Sequence, residues 1–242
     1  MGFLSDQGIA DVRHYAPLHY LPFIARSKSL MCKPSLAAAG FATSHYRSMS
    51  HGMDVARGFG NYAHLTLDHQ PRILRAKLAA GFPHIALSVP SDAVDNVQSS
   101  ICRFNVAMTR KLKRDGKPGH AESDRNGKYY DGHEIPIGRT TSEKRAILNH
   151  PLNARTMIEV LVHGDLPLPD DTTVICYSDQ DATIAKNVLC QPGSPPWLLE
   201  VHTPPGHYPR SSVHSQSVTD FILKALGDPT WRGNGLEFDR FR

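Results

Sequence analysis

A carboxylate interrupts an otherwise apolar strand pattern in Arg155-Thr-Met-Ile-Glu-Val-Leu-Val162. Ile158, Val160 and Val162 alternate with Met157, Glu159 and Leu161 at a period of two, which predicts a β-strand. Both faces are largely apolar, so the strand is expected in the interior of a sheet. An ionised carboxylate there loses several kcal/mol of solvation unless it is paired or lines a wet cleft. Glu159 is therefore read in two ways. Either it faces solvent or pairs with Arg155, or it is a functional carboxylate held rigidly at the floor of a pocket.

Other residues carry chemistry of a different kind. Arg47, in Ser44-His-Tyr-Arg-Ser-Met-Ser50, and Arg57, in Arg57-Gly-Phe-Gly60, each offer a planar fork suited to a phosphate or diphosphate. His19 and Tyr20 precede the amphipathic segment Leu21–Leu30, where a histidine serves either a structural or a binding role. Between Arg110 and Arg145 the chain is rich in Lys and Arg and carries the tandem Tyr129-Tyr130. Cations interleaved with rings suit single-stranded nucleic acid, whose phosphates meet charge while bases stack; the alternative is a solvated loop. A loop of that length within one domain is either functional or disordered. No Walker or Rossmann glycine fingerprint and no Gly-x-Ser-x-Gly elbow is present, which disfavours an ATPase, a Rossmann dehydrogenase and a common serine hydrolase.

The elements that would position these groups are short. Leu18–Leu30 reads as a strand-like start followed by an amphipathic turn or helix. Asn61–Leu67 reads as a strand, with Ala63, Leu65 and Leu67 on one face and Tyr62, His64 and Thr66 on the other. A helix is predicted from Asp68 and Pro71 to Gly81, with Ile73, Leu74 and Leu78 as its stripe. Strands are expected at His84–Val89, Ile101–Met108, Thr173–Ser178 and Trp197–His202, and helices at Ala182–Leu189 and Val218–Leu226. Gln191–Pro196 reads as a surface turn, and Trp231 as an anchor for the tail. Short strands and helices without regular βαβ spacing indicate an α+β fold with mixed or antiparallel sheets.

The 242 residues suffice for one large domain or two small ones, and a single domain spanning 1–242 is expected. Hydrophobic content of 40% and charged content of 21% are ordinary for a globular protein. No run approaches the length of a membrane span, and the N-terminus lacks the order of a signal peptide. Cys32, Cys102, Cys176 and Cys190 are dispersed, as expected of reduced thiols in a cytoplasmic protein. The 14 histidines show no ligand spacing, so no metal site is expected. A net charge of +4 and a pI near 8.9 lean towards an anionic partner.

Taken in order, these segments resemble DarT-type ADP-ribosyltransferases. Leu18-His-Tyr-Leu-Pro-Phe-Ile-Ala-Arg-Ser-Lys-Ser-Leu30 is similar to that family's opening, a His before a Leu-Pro-x-Ile … Leu segment. Gly58-Phe-Gly-Asn-Tyr-Ala-His-Leu-Thr-Leu67, followed by Pro71-Arg-Ile-Leu74, resembles the strand Asp-Tyr-Val-Pro-Phe-Tyr-Phe … Pro-Met-Leu. Arg155–Val162 resembles the Gln-Ala-Glu-x-Leu-Val strand that carries the family's catalytic Glu. The likeness spans roughly residues 15 to 178. The chain departs from the pattern in a first segment one residue shorter without its usual Gly, in Asn61 for Asp, and in Ala63-His64 for Val-Pro. These departures mark a distant relative and bear on the target base more than on the NAD+ chemistry.

The resemblance implies split mixed and antiparallel β-sheets flanked by short helices, with NAD+ as co-substrate in a cleft between them. It implies transfer of ADP-ribose onto a base of DNA, single-stranded or flipped, in a toxin or phage-defence setting with a macrodomain antitoxin as a partner, by a monomer that needs no metal. RNA or protein as the acceptor and a non-catalytic nucleic-acid-binding module are the alternatives. Residue by residue, it implies Glu159 and Arg47 as catalytic, and His19, Tyr20, Arg57 and Tyr62 at the cofactor, with residues 110–150 as the substrate-recognition loop. Loss of nicotinamide leaves positive charge on the ribose, as in glycoside hydrolysis. A fixed carboxylate stabilises that charge and can take a proton from the attacking base. Tyr20, Tyr46 and Tyr62 are candidates for stacking on nicotinamide or for core packing.

Overall fold

The computed structural model describes residues 2–41, 58–69, 71–103, 137–149, 158–202 and 212–232. Its frame is an eight-stranded sheet with helices on both faces, as the α+β reading expects. In chain order the strands are β1 (Asp11–Pro17), β2 (Ser29–Leu30), β3 (Tyr62–Thr66), β4 (His84–Pro90), β5 (Ser99–Cys102), β6 (Ile137–Gly138), β7 (Glu159–His163), β8 (Leu166–Pro167), β9 (Thr173–Cys176) and β10 (Leu198–Val201). The large sheet runs β10-β9-β4-β1-β3-β7-β5-β6, while β2 and β8 form a separate pair. Every neighbour in the large sheet whose pairing is registered is antiparallel except β9 and β10. The sheet is thus mixed.

Two halves meet in the middle of this sheet. β1 pairs with β4 along all seven of its residues, from Asp11↔Pro90 to Pro17↔His84. β3 pairs with β7 along all five of its own, from Tyr62↔His163 to Thr66↔Glu159. Between β1 and β3 the register holds at one position alone, Arg13↔Thr66. Side chains of β1 span the rest of the junction. His14 Nδ1 bonds the His64 carbonyl at 2.8 Å, the Tyr15 hydroxyl donates to the Asp68 carbonyl at 2.9 Å, and Arg13 reaches the His69 carbonyl at 3.4 Å. Backbone carbonyls that a full ladder would have paired are satisfied in this way. The mixed, largely antiparallel sheet flanked by short helices that the resemblance implies is present as one eight-stranded sheet.

Period-two alternation assigns the faces. Val12, Leu65, Leu87, Val160, Val162 and Val174 point into the main core, where α2 (Leu21–Ser27), α7 (Asp179–Leu189) and α8 (Ser212–Gly227) cover them. From α8 come Val218, Phe221, Ile222 and Ala225, all buried. On the opposite face α4 (Arg72–Ala79) lays Leu74 and Leu78 against Ala86, Ile175 and Tyr177. The remaining helices are short: α1 (Phe3–Asp6), α3 (Lys33–Ala38), α5 (Ser91–Asp95) and α6 (Thr141–Leu148). No helix among the described residues is long and apolar enough to cross a membrane.

Several expectations need correction. Leu18–Tyr20 is a 3₁₀ turn, not a strand start; the strand is the preceding Asp11–Pro17, which the sequence reading missed. The strand expected from Ile101 begins at Ser99 and ends at Cys102, and residues 104–136 lie outside the described ones. Within the stretch read as loop, Ile137–Gly138 is a strand and Thr141–Leu148 a helix. That helix opens with a capping box in which Thr140 and Glu143 satisfy each other's backbone N–H groups. The C-terminal helix begins at Ser212, six residues before the expected Val218.

Candidate active site

β7 lies between β3 and β5, and its apolar character on both faces follows from Val160 and Val162 packing in the main core and Leu161 in a smaller cluster opposite. Glu159 opens it, opposite Thr66 on one side and Cys102 on the other. Residues directly opposite share a face, so Glu159 and Leu161 stand with Tyr62, His64, Thr66 and Cys102, away from the main core. The strand start is pinned by the Ile158 carbonyl, which accepts from the Thr66 hydroxyl at 2.9 Å and the Leu67 amide at 3.1 Å. Glu159 is 4% exposed. Of the two readings of this residue, the solvent-facing one is excluded, and Arg155 lies outside the described residues.

His64 is what Glu159 meets. Its Nδ1 is 2.9 Å from Glu159 Oε1, a diagonal cross-strand pair, and its Nε2 is 3.2 Å from the Phe59 carbonyl. The loop that delivers Phe59 turns at Gly58, whose φ of +80° falls in the left-handed region that favours glycine. The backbone of His64 is held as well, by the His14 ring across the junction. Burial keeps the His14 imidazole well below its usual protonation range, so that ring is neutral, and the carbonyl it meets fixes its hydrogen on Nδ1. The carboxylate, withdrawn from water, thus meets a residue held through its ring by the Phe59 carbonyl and through its backbone by the His14 ring.

Tyr62 lies two residues along from His64 on the same face. Its ring packs on Phe59 at 5.7 Å and edge-on to His163 at 5.2 Å. The structure therefore brings Glu159 and Tyr62 onto one surface. His19 and Tyr20 belong to the other half of the sheet, in the 3₁₀ turn that follows β1. β3 is antiparallel to β1, so its Tyr62 end runs beside the Pro17 end that leads into this turn. The His19 ring is buried between Tyr20, at 4.6 Å, and Phe221 of α8, at 4.9 Å. Phe23 and Trp231 extend that aromatic stack. Trp231 thus anchors the segment after α8, as its sequence position suggested. Arg47 and Arg57 lie outside the described residues.

Two residues escaped the sequence reading. His64 was visible only as a departure at a Pro position, although its place on the Tyr62–Thr66 face was legible. Arg103 is 3% exposed and follows directly on Cys102, the β5 partner of Glu159. A lone arginine after a short strand carries no signal in sequence.

No family model and no curated protein matches the sequence. Solved structures do. The Thermus sp. 2.9 DarT complex with NAD+ aligns with a TM-score of 0.54 over 80% of this chain and 95% of that one, at 13% identity. The complex of the same protein with ADP-ribosylated ssDNA gives 0.53 over 80% and 94%, at 12% identity. The carba-NAD+ complex gives 0.50 over 80% and 95%, at 14% identity. This chain has the DarT fold. In this chain β3 separates the β1 junction from β7, the strand that begins with Glu159.

Proposed function

We propose that this chain is a distant DarT-type enzyme that transfers ADP-ribose from NAD+ to a base of single-stranded DNA. The observation that carries the reading is Glu159, a buried carboxylate opposite Thr66, the residue that joins the two half-sheets, in a protein of this fold. NAD+ would lie along that junction, between Glu159 and Tyr62 on one half and His19 and Tyr20 on the other. Arg47 and Arg57 are the candidates for its diphosphate. Departure of nicotinamide breaks the bond to ribose C1′ and leaves an oxocarbenium-like sugar, which the Glu159 carboxylate stabilises. A base nitrogen attacks C1′, and its proton passes to Glu159. The basic run that begins at Arg110 would hold the DNA strand, with Tyr129 and Tyr130 as stacking faces. The setting that fits is a cytoplasmic toxin acting as a monomer, countered by a macrodomain antitoxin.

The test is transfer of label from NAD+ to a single-stranded oligonucleotide by the wild-type protein and by Glu159→Gln. Gln preserves shape and a hydrogen bond to His64 but removes the charge. A loss of about a hundredfold or more in rate is expected, with thermal unfolding changed by only a few degrees. Undiminished transfer by the variant would remove Glu159 from the mechanism. Labelling of RNA or protein in place of DNA would keep the core and overturn the acceptor.

A further inference from the structure

We infer that His64 is the positioning residue and proton partner of Glu159, so that a proton taken from the acceptor base is shared between Glu159 Oε1 and His64 Nδ1. The inference rests on the proposed transferase reading and extends it to a residue at which the chain departs from the family pattern.

Hydrogen-bond bookkeeping at the ring leads there. His64 lies between two acceptors, the Glu159 carboxylate at 2.9 Å and the Phe59 carbonyl at 3.2 Å. A neutral imidazole has one N–H, so beside an ionised Glu159 one of these contacts sets lone pair against lone pair. One added proton removes the conflict. The imidazolium donates to both neighbours; equally, a neutral ring with its hydrogen on Nε2 bonds Phe59 while a protonated Glu159 donates to Nδ1. The pair is therefore built to gain a proton. The added proton then belongs to the pair and not to the carboxylate alone.

The transfer step supplies that proton. As the base nitrogen bonds to C1′, the C1′–nicotinamide bond breaks, and its electron pair neutralises the pyridinium nitrogen. The proton displaced from the base moves to Glu159 and completes the hydrogen bond to His64 Nδ1. Solvent removes it before the next turnover. Several titratable or charged groups surround the pair. β1 supplies Arg13, Tyr15 and Asp11 on this face, and His14 against the His64 backbone. β3 and β7 supply Tyr62 and His163, and β5 supplies Cys102, with Arg103 one residue beyond. His14 is neutral, and Arg13 is paired with Asp11 at 3.3 Å.

Two measurements decide it. The first is the pH profile of steady-state transfer for the wild type, His64→Asn and His64→Ala. Asn keeps an amide near the place of Nδ1 but does not titrate. His64→Asn is expected to lower kcat about tenfold to a hundredfold with KM for NAD+ within about twofold. Its acid limb should differ in position from the wild-type limb, because the two groups no longer titrate as a unit. His64→Ala should lose more than His64→Asn. Profiles of the same shape in the wild type and His64→Asn would overturn the inference. The second is the titration of the His64 ring nitrogens by NMR, in the wild type and in E159Q. The ring should hold both protons to a pH higher by about one unit or more when Glu159 is present; a ring indifferent to E159Q would overturn it too. Absence of transfer by the wild-type protein sinks the functional reading and the catalytic role with it, while the NMR titration still decides whether the proton is shared.

Discussion

Acid should weaken this protein through His84, by an amount that follows from its surroundings. The side chain is 5% exposed, its Nδ1 bonds the Phe82 carbonyl at 3.1 Å, and its buried Nε2 meets no partner among the described residues. Burial first, and then the Lys77 ammonium, push it from its ordinary 6.5 down to about 4. The native ring stays neutral while the unfolded one takes a proton near pH 6.5. Above that pH both are neutral and His84 contributes nothing to the pH dependence. Below it the unfolded state binds more protons, and stability falls by about 1.4 kcal/mol for each pH unit. From 6.5 to pH 5 the loss is about 2 kcal/mol, and by pH 4 about 3 kcal/mol. Urea unfolding at pH 7.5 and 5.0, for the wild type and His84→Leu, isolates the effect, because His14 is common to both. The wild type should lose about 2 kcal/mol more than the variant over that range. Equal losses would refute the reasoning. The effect bears on the site, because His84 pairs with Pro17 and the neighbouring Pro83 carbonyl accepts the Leu18 N–H, just before His19.

Two further outcomes are expected. Phe221→Ala should cost about 3–5 kcal/mol in urea unfolding. On the proposed reading it should also raise KM for NAD+ more than it lowers kcat, since the His19 ring rests on Phe221; an unchanged KM in the folded variant would detach His19 from the cofactor. Thr140→Ala breaks the capping box of α6 and should cost about 1 kcal/mol. That corresponds to a melting temperature lower by about 2–4 °C, and no change on a melting curve would show that the cap contributes nothing.

Some of this structure was legible because burial writes a pattern into sequence. The Glu159 strand is apolar on both faces since Val160 and Val162 pack in the main core and Leu161 in a second cluster on the other side, and the Tyr62–Thr66 strand alternates since one face alone meets the main core. β1 left no such trace. Asp11, Arg13 and His14 look solvent-loving, yet Arg13 is buried with bonds to Asp11 and the His69 carbonyl, and His14 is half-buried with a bond to the His64 carbonyl. Polar residues that find partners only across the sheet hide a strand. The same limit applied to the site. His64 could be placed on a face, but its carboxylate partner depends on a register set between strands 95 residues apart. The support of His19 by Phe221 joins opposite ends of the chain, and nothing local in either helix announces it.

In a regular ladder the spacing of neighbouring strands is set by the peptide group, at about 4.8 Å, and no side chain can alter it. Where His14 and Tyr15 reach over to the carbonyls of His64 and Asp68, that limit is lifted. How far apart the half-sheets stand then depends on the length of an imidazole and a phenol. On the proposed reading, the breadth of the space offered to NAD+ is thereby written in residues that have no need to touch it.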